Sequence, residues 1–368
     1  MTDTVTPPEG AAAGEDLRFH HTIQPSAFLG LSLKNGLLNL VTLTLYRFWG
    51  KTEVRRRVWR NVRLNDEPFE YTGRGGELFI GFILALVVLG LPFLIIIFGV
   101  QFLGPFVALM VVPVIYLLIF WLWGFGVFTA FRYMASRSTW RGIRFRLRGS
   151  PVNYAWKNLG YTLLSGLTSG WYWPTARRNL AEAIWREMRY GDLPFRFSAA
   201  RCRQVGVYGP FAIGWAISAV GYMVYGVLLV MILGVMGHFG PDAAPPSDWV
   251  MLGVTYGLLF ALYPIIALIW APYQAAILRS VTAGISLGEA RFSLNVQTLP
   301  IWWLTVSNVF LAVFTLGFLM PYVQARTTRF MIQHLGSTGQ VDLDEVRQTV
   351  TGPGSGEGLA DAFGFSSI

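Results

Sequence analysis

The residues of this chain with the greatest chemical capacity are few and poorly arranged for catalysis. Its histidines are His20, His21, His238 and His334, and none has a cysteine or acidic companion at metal-ligand spacing. His20 and His21 are adjacent, so on a strand their rings face opposite ways and do not easily share one ion. Cys202 is the single cysteine, which leaves no intrachain disulfide and no thiol partner. Gly73-Arg74-Gly75-Gly76 precedes a long apolar stretch and reads as a linker rather than a phosphate loop. The acidic residues Glu53, Asp66, Glu67, Glu70, Glu77, Glu182, Glu187 and Asp192 mostly have arginines nearby, as in an ion-pair network. No catalytic residue, metal or cofactor is expected.

The polar residues that remain must therefore bind or line something, and the apolar sequence around them says where. The chain is 54% hydrophobic and 13% charged, with a mean hydropathy of +0.48. Leu78 to Val100, Phe102 to Phe131, Val205 to Gly237 and Trp249 to Leu278 hold no charged residue. Each is at least as long as the roughly 20 residues that cross a bilayer as helix. An integral membrane protein follows, with spans expected near 78–100, 104–131, 207–236 and 250–276. Residues 1–16 lack the basic region and apolar core of a cleaved signal. They are expected to form a disordered cytoplasmic arm, and residues 351–368 a loose Gly/Ser tail.

A pattern recurs between these runs. Thr42, Trp59, Asp66, Pro68 and Phe69 return at a constant offset as Thr168, Trp185, Asp192, Pro194 and Phe195. Further on, Thr315-Leu316-Gly317 and Pro321 answer Thr168-Ser169-Gly170 and Pro174, and Arg18-Phe19, Arg144-Phe145 and Arg291-Phe292 open the three copies. Internal repetition dictates architecture before single residues are interpreted. Each copy reads as an alternating strand, an apolar helix, a break, a basic amphipathic helix and a second strand. The expected fold is a predominantly α-helical integral membrane protein with three β-α-α-β-like repeats (17–73, 143–199 and 290–346). Two transmembrane helical hairpins, 77–131 and 205–278, separate them.

Net charge is +9, and its arginines border the membrane segments. That is the excess of Lys and Arg on cytoplasmic loops, and nucleic acid is not an expected partner. The connection His238 to Asp248 is acidic and proline-rich, and suits the outer side. If the apolar part of every repeat crossed, giving seven spans, the arginine-rich loop 175–204 would fall outside and invert this rule. Repeats that dip in and return keep every basic cluster, and both termini, in the cytoplasm with four spans.

Two sets of candidate residues result. The breaks, with Gly for unusual backbone angles and Pro to interrupt hydrogen bonding, could line a solute path. That set is Asn35, Asn39, Thr42, Thr168, Gly170, Pro174, Asn308, Thr315, Gly317 and Pro321. The second helices place Arg beside Trp, as headgroup-level helices do. That set is Arg55, Arg56, Arg57, Trp59, Arg60, Arg177, Arg178, Trp185 and Arg189.

The stretch Asn35-Gly-Leu-Leu-Asn39-Leu-Val-Thr42-Leu-Thr-Leu-Tyr46-Arg-Phe48-Trp49-Gly-Lys resembles the bacterial inner-membrane family named YjgN, a domain of unknown function. Arg55-Arg-Arg, Phe69-Glu-Tyr71-Thr-Gly73, Asn308, Thr315-Leu-Gly317, Pro321 and Gly339-Gln-Val-Asp342-Leu-Asp344 carry the same resemblance, which covers nearly all the chain between its tails. Thr44 departs from the pattern, where Gly is commoner. The resemblance implies a multi-pass bacterial inner-membrane protein and transfers no catalytic residue. Three functional classes stay open. The first is a passive channel or uncoupled transporter for a small solute. The second is a non-catalytic scaffold or binder of anionic phospholipid headgroups in the bilayer, and the third a membrane enzyme. A homo-oligomer also stays open.

Overall fold

The computed structural model describes residues 15–100, 102, 104–235, 247–343 and 346–348, and helix predominates among them. The arm 1–14, the tail 351–368 and most of the acidic connection, including His238 and Asp242, lie outside the described residues. Glu15 and Asp16, expected in the disordered arm, instead form strand β1 (Glu15–Asp16).

Three helices are long and apolar enough to cross a membrane: α5 (Pro105–Arg137), α9 (Tyr208–Val235) and α10 (Asp248–Gly284). The fourth expected span is helical but interrupted, as α3 (Gly75–Ala85), a π turn (Leu86–Gly90) and α4 (Leu91–Val100). Pro92 explains the interruption. A regular helix would press its ring onto the carbonyl four residues back, at Val88. The wider turn, with Leu91 N–H bonded to Leu86 O, relieves that contact.

Three segments share the order strand–helix–helix–strand. The first is β2 (Phe19–His21), α1 (Leu29–Val41), α2 (Arg47–Arg60) and β3 (Val62–Leu64). It is followed by β4 (Glu67–Pro68) and β5 (Glu70–Tyr71). The second is β7 (Ile143–Leu147), α6 (Pro151–Leu167), α7 (Trp173–Trp185), β8 (Met188–Tyr190) and β9 (Leu193–Phe197). The third is β11 (Ala290–Leu294), α11 (Thr298–Phe314), α12 (Met320–His334), β12 (Leu335–Thr338) and β13 (Gln340–Val341).

The breaks between paired helices are built alike. Thr42 Oγ1 donates to Leu38 O (2.6 Å) and accepts from Tyr46 N (2.9 Å). Thr168 bridges Leu164 O (2.8 Å) and Tyr172 N (3.0 Å), and Thr315 bridges Leu311 O (2.6 Å) and Leu319 N (3.3 Å). One hydroxyl thus ends the first helix and starts the second. The two residues after each threonine take positive φ: Leu43 and Thr44, Ser169 and Gly170, Leu316 and Gly317. Pro174 and Pro321 stand in the first turn of the returning helix, where a missing N–H costs nothing.

The strands form one curled layer. An antiparallel order β12-β11-β10-β9-β8-β7-β6-β5 includes β6 (Ser138–Trp140) and β10 (Ile285–Leu287), which follow directly from α5 and α10. At its other end β5 continues β4, and β4 pairs β3, which pairs β2. The ends then meet, because β1 pairs β13 through Glu15 with Val341 and Asp16 with Gln340. Ser337 Oγ also donates to Leu17 O across this seam. A barrel-like layer results. Two of its hairpin turns take positive φ at both central residues, Asn65-Asp66 (48° and 66°) and Arg141-Gly142 (46° and 73°), where Asn, Asp and Gly suit that conformation and Arg141 does not.

The flanking strands of each segment pair antiparallel, at His21 with Val62, Leu147 with Met188 and Leu294 with Leu335. Each helix pair therefore leaves the barrel and returns to it. The starts of α3 and α9 and the ends of α5 and α10 adjoin the same layer in sequence. Outgoing α6 follows α5, where Asn158 Nδ2 reaches Phe120 O at 3.0 Å. Similarly α11 follows α10, where Trp302 Nε1 reaches Pro264 O at 2.8 Å.

Candidate functional site

Strand alternation sorts side chains to the two faces of the barrel. Along Arg144-Phe145-Arg146-Leu147, Arg196 beside Phe195 and Phe197, and Arg291 beside Phe292, the aromatic and aliphatic residues turn inward. Of these, Phe145, Phe195 and Phe292 line an apolar cavity of about 330 Å³, within the range of small-molecule sites. Its wall includes Phe19, Phe145 and Phe292, the phenylalanines that open the three segments, with Phe69, Phe195, Trp140, Tyr190, Leu287 and Leu343. Ring centroids step round it at 6.1 Å (Phe69–Phe145), 6.4 Å (Phe145–Phe195), 6.4 Å (Phe195–Phe292) and 6.0 Å (Phe292–Phe19).

The polar atoms of this wall have little contact with water. Tyr190 OH donates to Trp140 O at 3.0 Å, and burial pushes its ionisation well above the usual phenol range. The indole N–H of Trp140 is buried without a hydrogen-bond partner. At the seam, Arg141 pairs with Glu15 (3.1 Å) and Glu67 (3.2 Å). Hydrogen bonds from Arg141 and then Asn65 hold the Glu15 carboxyl below its ordinary range. The C-terminal segment lies across one side: Arg347 N donates to Asp192 Oδ1 (3.1 Å) and Gln348 Oε1 accepts from Arg144 N (2.8 Å).

A second hollow, of about 480 Å³, lies between α5, α6, α7 and α10. Phe120, Val127, Tyr154, Leu180, Ile184 and Val281 make it mainly apolar, and Arg177 adds a cation. The Arg177 guanidinium is 6.0 Å from the Trp173 ring centroid, and Trp173 also lines the hollow. Trp185 belongs to both linings. One side chain therefore stands between the helical groove and the barrel interior.

Comparison with known proteins bears on this arrangement. A family model described as "Bacterial protein of unknown function (DUF898)" matches residues 16–362. The chain belongs to this family. It is also similar to the inner membrane protein YjgN of Salmonella typhimurium, strain LT2, at 38% identity over 58 residues, which is 16% of this chain and 15% of that relative. The match thus spans far less than two thirds of the relative's length, and the resemblance to the YjgN family now rests on both findings. No solved structure matches.

In this DUF898 member the break residues act locally. Thr42, Thr168 and Thr315 are helix caps, and Gly170 and Gly317 supply positive φ of 91° and 80°. Asn35 Nδ2 reaches Gly50 O at 3.5 Å, and Asn308 Nδ2 reaches Thr327 Oγ1 at 3.0 Å; each joins the helices of its own pair. Asn39 O accepts the Thr44 N–H at 2.6 Å. The second break meets α9, where Trp215 Nε1 donates to Ser169 O (2.9 Å), whereas Phe318 of the third lies against Gly36 of α1. Neither hollow described above is lined by the Thr, Gly, Pro or Asn set.

The headgroup set divides. Arg55 is only 1% exposed and its Nη1 donates to Tyr71 OH at 3.2 Å, inside the protein rather than at a surface. Arg56 Nη2 holds Gly73 O (2.7 Å), Trp59 Nε1 holds Ser138 Oγ (2.9 Å), and Arg178 holds Ser280 Oγ (2.9 Å) and Val205 O (2.5 Å). Arg57 and Arg60 are exposed, Arg57 lying 5.1 Å from the Phe28 ring centroid. Arg189 lies on strand β8 rather than on the second helix, since α7 ends at Trp185, and its Nη1 donates to Asp192 O at 3.3 Å. Of this set, Arg177 and Trp185 are the two that line the groove.

Proposed function

We propose that this DUF898 protein is a non-catalytic inner-membrane protein that takes an anionic, acyl-chain-bearing lipid from the bilayer and shelters the chain in its barrel. The observation that carries this reading is the apolar barrel cavity, divided from the inter-helix groove by Trp185. A headgroup beside Arg177 and a chain running past Trp185 would match the charge and polarity of each part. An ester or carboxyl oxygen inside the barrel would offer the unpartnered Trp140 indole an acceptor. The name of the YjgN relative supports the inner membrane as the setting.

In this reading the three segments descend from one repeated unit, and their helix pairs dip into hydrocarbon and return. Exposed apolar tips support that placement: Val41 (79%), Leu167 (84%) and Phe314 (72%) hold corresponding positions just before the breaks. In water such side chains would carry a hydrophobic penalty, and in lipid they carry none. The barrel and every basic helix then sit on the cytoplasmic side, as the positive-inside rule favours. A solute path through the breaks has less support, because the caps use their hydroxyls locally and the breaks pack against different neighbours.

The test is saturable binding of a fluorescent long-chain fatty acid to the full chain in uncharged detergent. Leu287→Trp, which fills the cavity, is expected to weaken binding about tenfold or more, while Arg177→Gln has a smaller effect. Equal binding by wild type and Leu287→Trp, with both folded by circular dichroism, rejects the barrel as the chain's location.

A further inference from the structure

The outer face of the barrel carries a second feature, unconnected with the apolar interior. The register aligns Arg196 of β9 with Ser286 of β10, Ser286 with Arg291 of β11, and Arg291 with Thr338 of β12. Phe195, Leu287 and Phe292, their chain neighbours, line the inner cavity, so this row faces outward. Helix α8 (Ala199–Gln204) lies above it and extends Arg201, whose Nη2 donates to Ser286 Oγ at 3.0 Å. These groups line an open hollow of about 860 Å³, with Ser198 and Glu289 at its margin.

Three arginines thus line one hollow with Ser286, and the Arg201 guanidinium touches its hydroxyl. Among the described residues Arg196, Arg201 and Arg291 have no carboxylate partner, and Glu289 is the one acidic residue of the lining, leaving three charges minus one, or +2. Burial, and then the charge of Arg291, make Arg201 easier to deprotonate than an ordinary arginine. Like charges held on one face without counter-charges oppose folding. An anion bearing several oxygens reverses the sign of that interaction, because guanidinium forks pair with phosphate geometry.

We propose that Arg196, Arg201 and Arg291, with the Thr338 hydroxyl, bind a phosphate group on the outer face of the barrel, while Ser286, whose hydroxyl accepts from Arg201 and donates to Arg196 O, holds Arg201 in place. A planar carboxylate offers two oxygens to this set, whereas a phosphate monoester offers three. The group belongs to a free phosphate or to a lipid headgroup, and the two sources separate experimentally.

The probes are inorganic phosphate, titrated calorimetrically into the full chain in zwitterionic detergent, and phosphatidic acid, counted by native mass spectrometry after release from phosphatidylcholine nanodiscs. The variants are Arg196→Gln/Arg291→Gln, both exposed positions, and Ser286→Ala; their melting curves check folding. Phosphate binding that the double variant weakens about tenfold or more supports a free-anion site. Retention of phosphatidic acid alone, lost in the double variant, supports a headgroup site. Absence of both, or binding that the folded double variant leaves unchanged, overturns the proposal. The inorganic phosphate titration is independent of acyl-chain binding in the cavity, and Leu287→Trp is expected to leave it intact.

Discussion

At the scale of single residues, each helix pair depends on one threonine. Its hydroxyl satisfies a carbonyl of the outgoing helix and an amide of the returning one, two groups that would lack water in the proposed placement of the tips in hydrocarbon. Thr168→Ala is expected to destabilise the protein by about 1 kcal/mol, read as the urea midpoint in micelles. Thr44 is the contrasting case. It holds a φ of 70° where the other breaks place Gly170 and Gly317. A non-glycine residue there bears about 1–2 kcal/mol of strain, against about 0.5–1 kcal/mol of extra unfolded-state freedom for glycine. Thr44→Gly is therefore expected to raise the same midpoint modestly. A fall would show that the Thr44 side chain contributes more than its backbone costs.

At the scale of elements, the barrel seam offers a pH test. Hydrogen bonds from Arg141 and Asn65 lower the Glu15 pKa in the folded protein relative to its ordinary value of 4.5. A depressed carboxylate contributes stability that is complete above 4.5 and is lost as pH falls through the folded value. Glu15 is partly exposed, so the loss is small, below about 1 kcal/mol. The melting temperature should fall on acidification below pH 4.5, and fall less in Glu15→Gln. Equal acid sensitivity in both would leave Glu15 without a part in closing the seam.

Much at this scale was legible in sequence, and the misses have physical causes. Alternation in Arg144-Phe145-Arg146-Leu147 predicts the strand that β7 occupies, and Thr-Gly-Pro spacing predicts the turns between paired helices. Strands β6 and β10 are hard to read from sequence because each follows a long apolar helix with no intervening loop. The signal was the two-residue Arg141-Gly142 and Gly288-Glu289 turns, each between short strand-like runs. Without those strands the barrel does not close, so its cavity is not legible in the sequence. The break residues read as a solute path in sequence because Thr, Gly and Pro serve caps and binding sites alike. Composition does not separate the two uses; hydrogen-bond partners do.

At the scale of the whole molecule, all three helix pairs, and α5 and α10 among the long apolar helices, run into strands of one barrel. That predicts a single sidedness. A membrane-impermeant maleimide applied to intact cells should label Phe102→Cys, far along the chain from the barrel, but not Arg60→Cys or Arg186→Cys. Labelling of Arg186→Cys from outside would place the basic helices on the wrong face. A groove among α5, α6, α7 and α10 ends at Trp185, and in the proposed reading it is the lateral approach for lipid. Enlarging access there, by Trp185→Ala, should speed ligand exchange more than it weakens binding.

The most direct measurement is photocrosslinking in native membranes with a long-chain fatty acid that carries its reactive group near the methyl end. Peptides should be modified at Phe145, Phe195 or Phe292, inside the barrel, with modification suppressed by Leu287→Trp. Crosslinks confined to the outer surfaces of α5, α9 and α10, with the barrel wall untouched, would contradict the account.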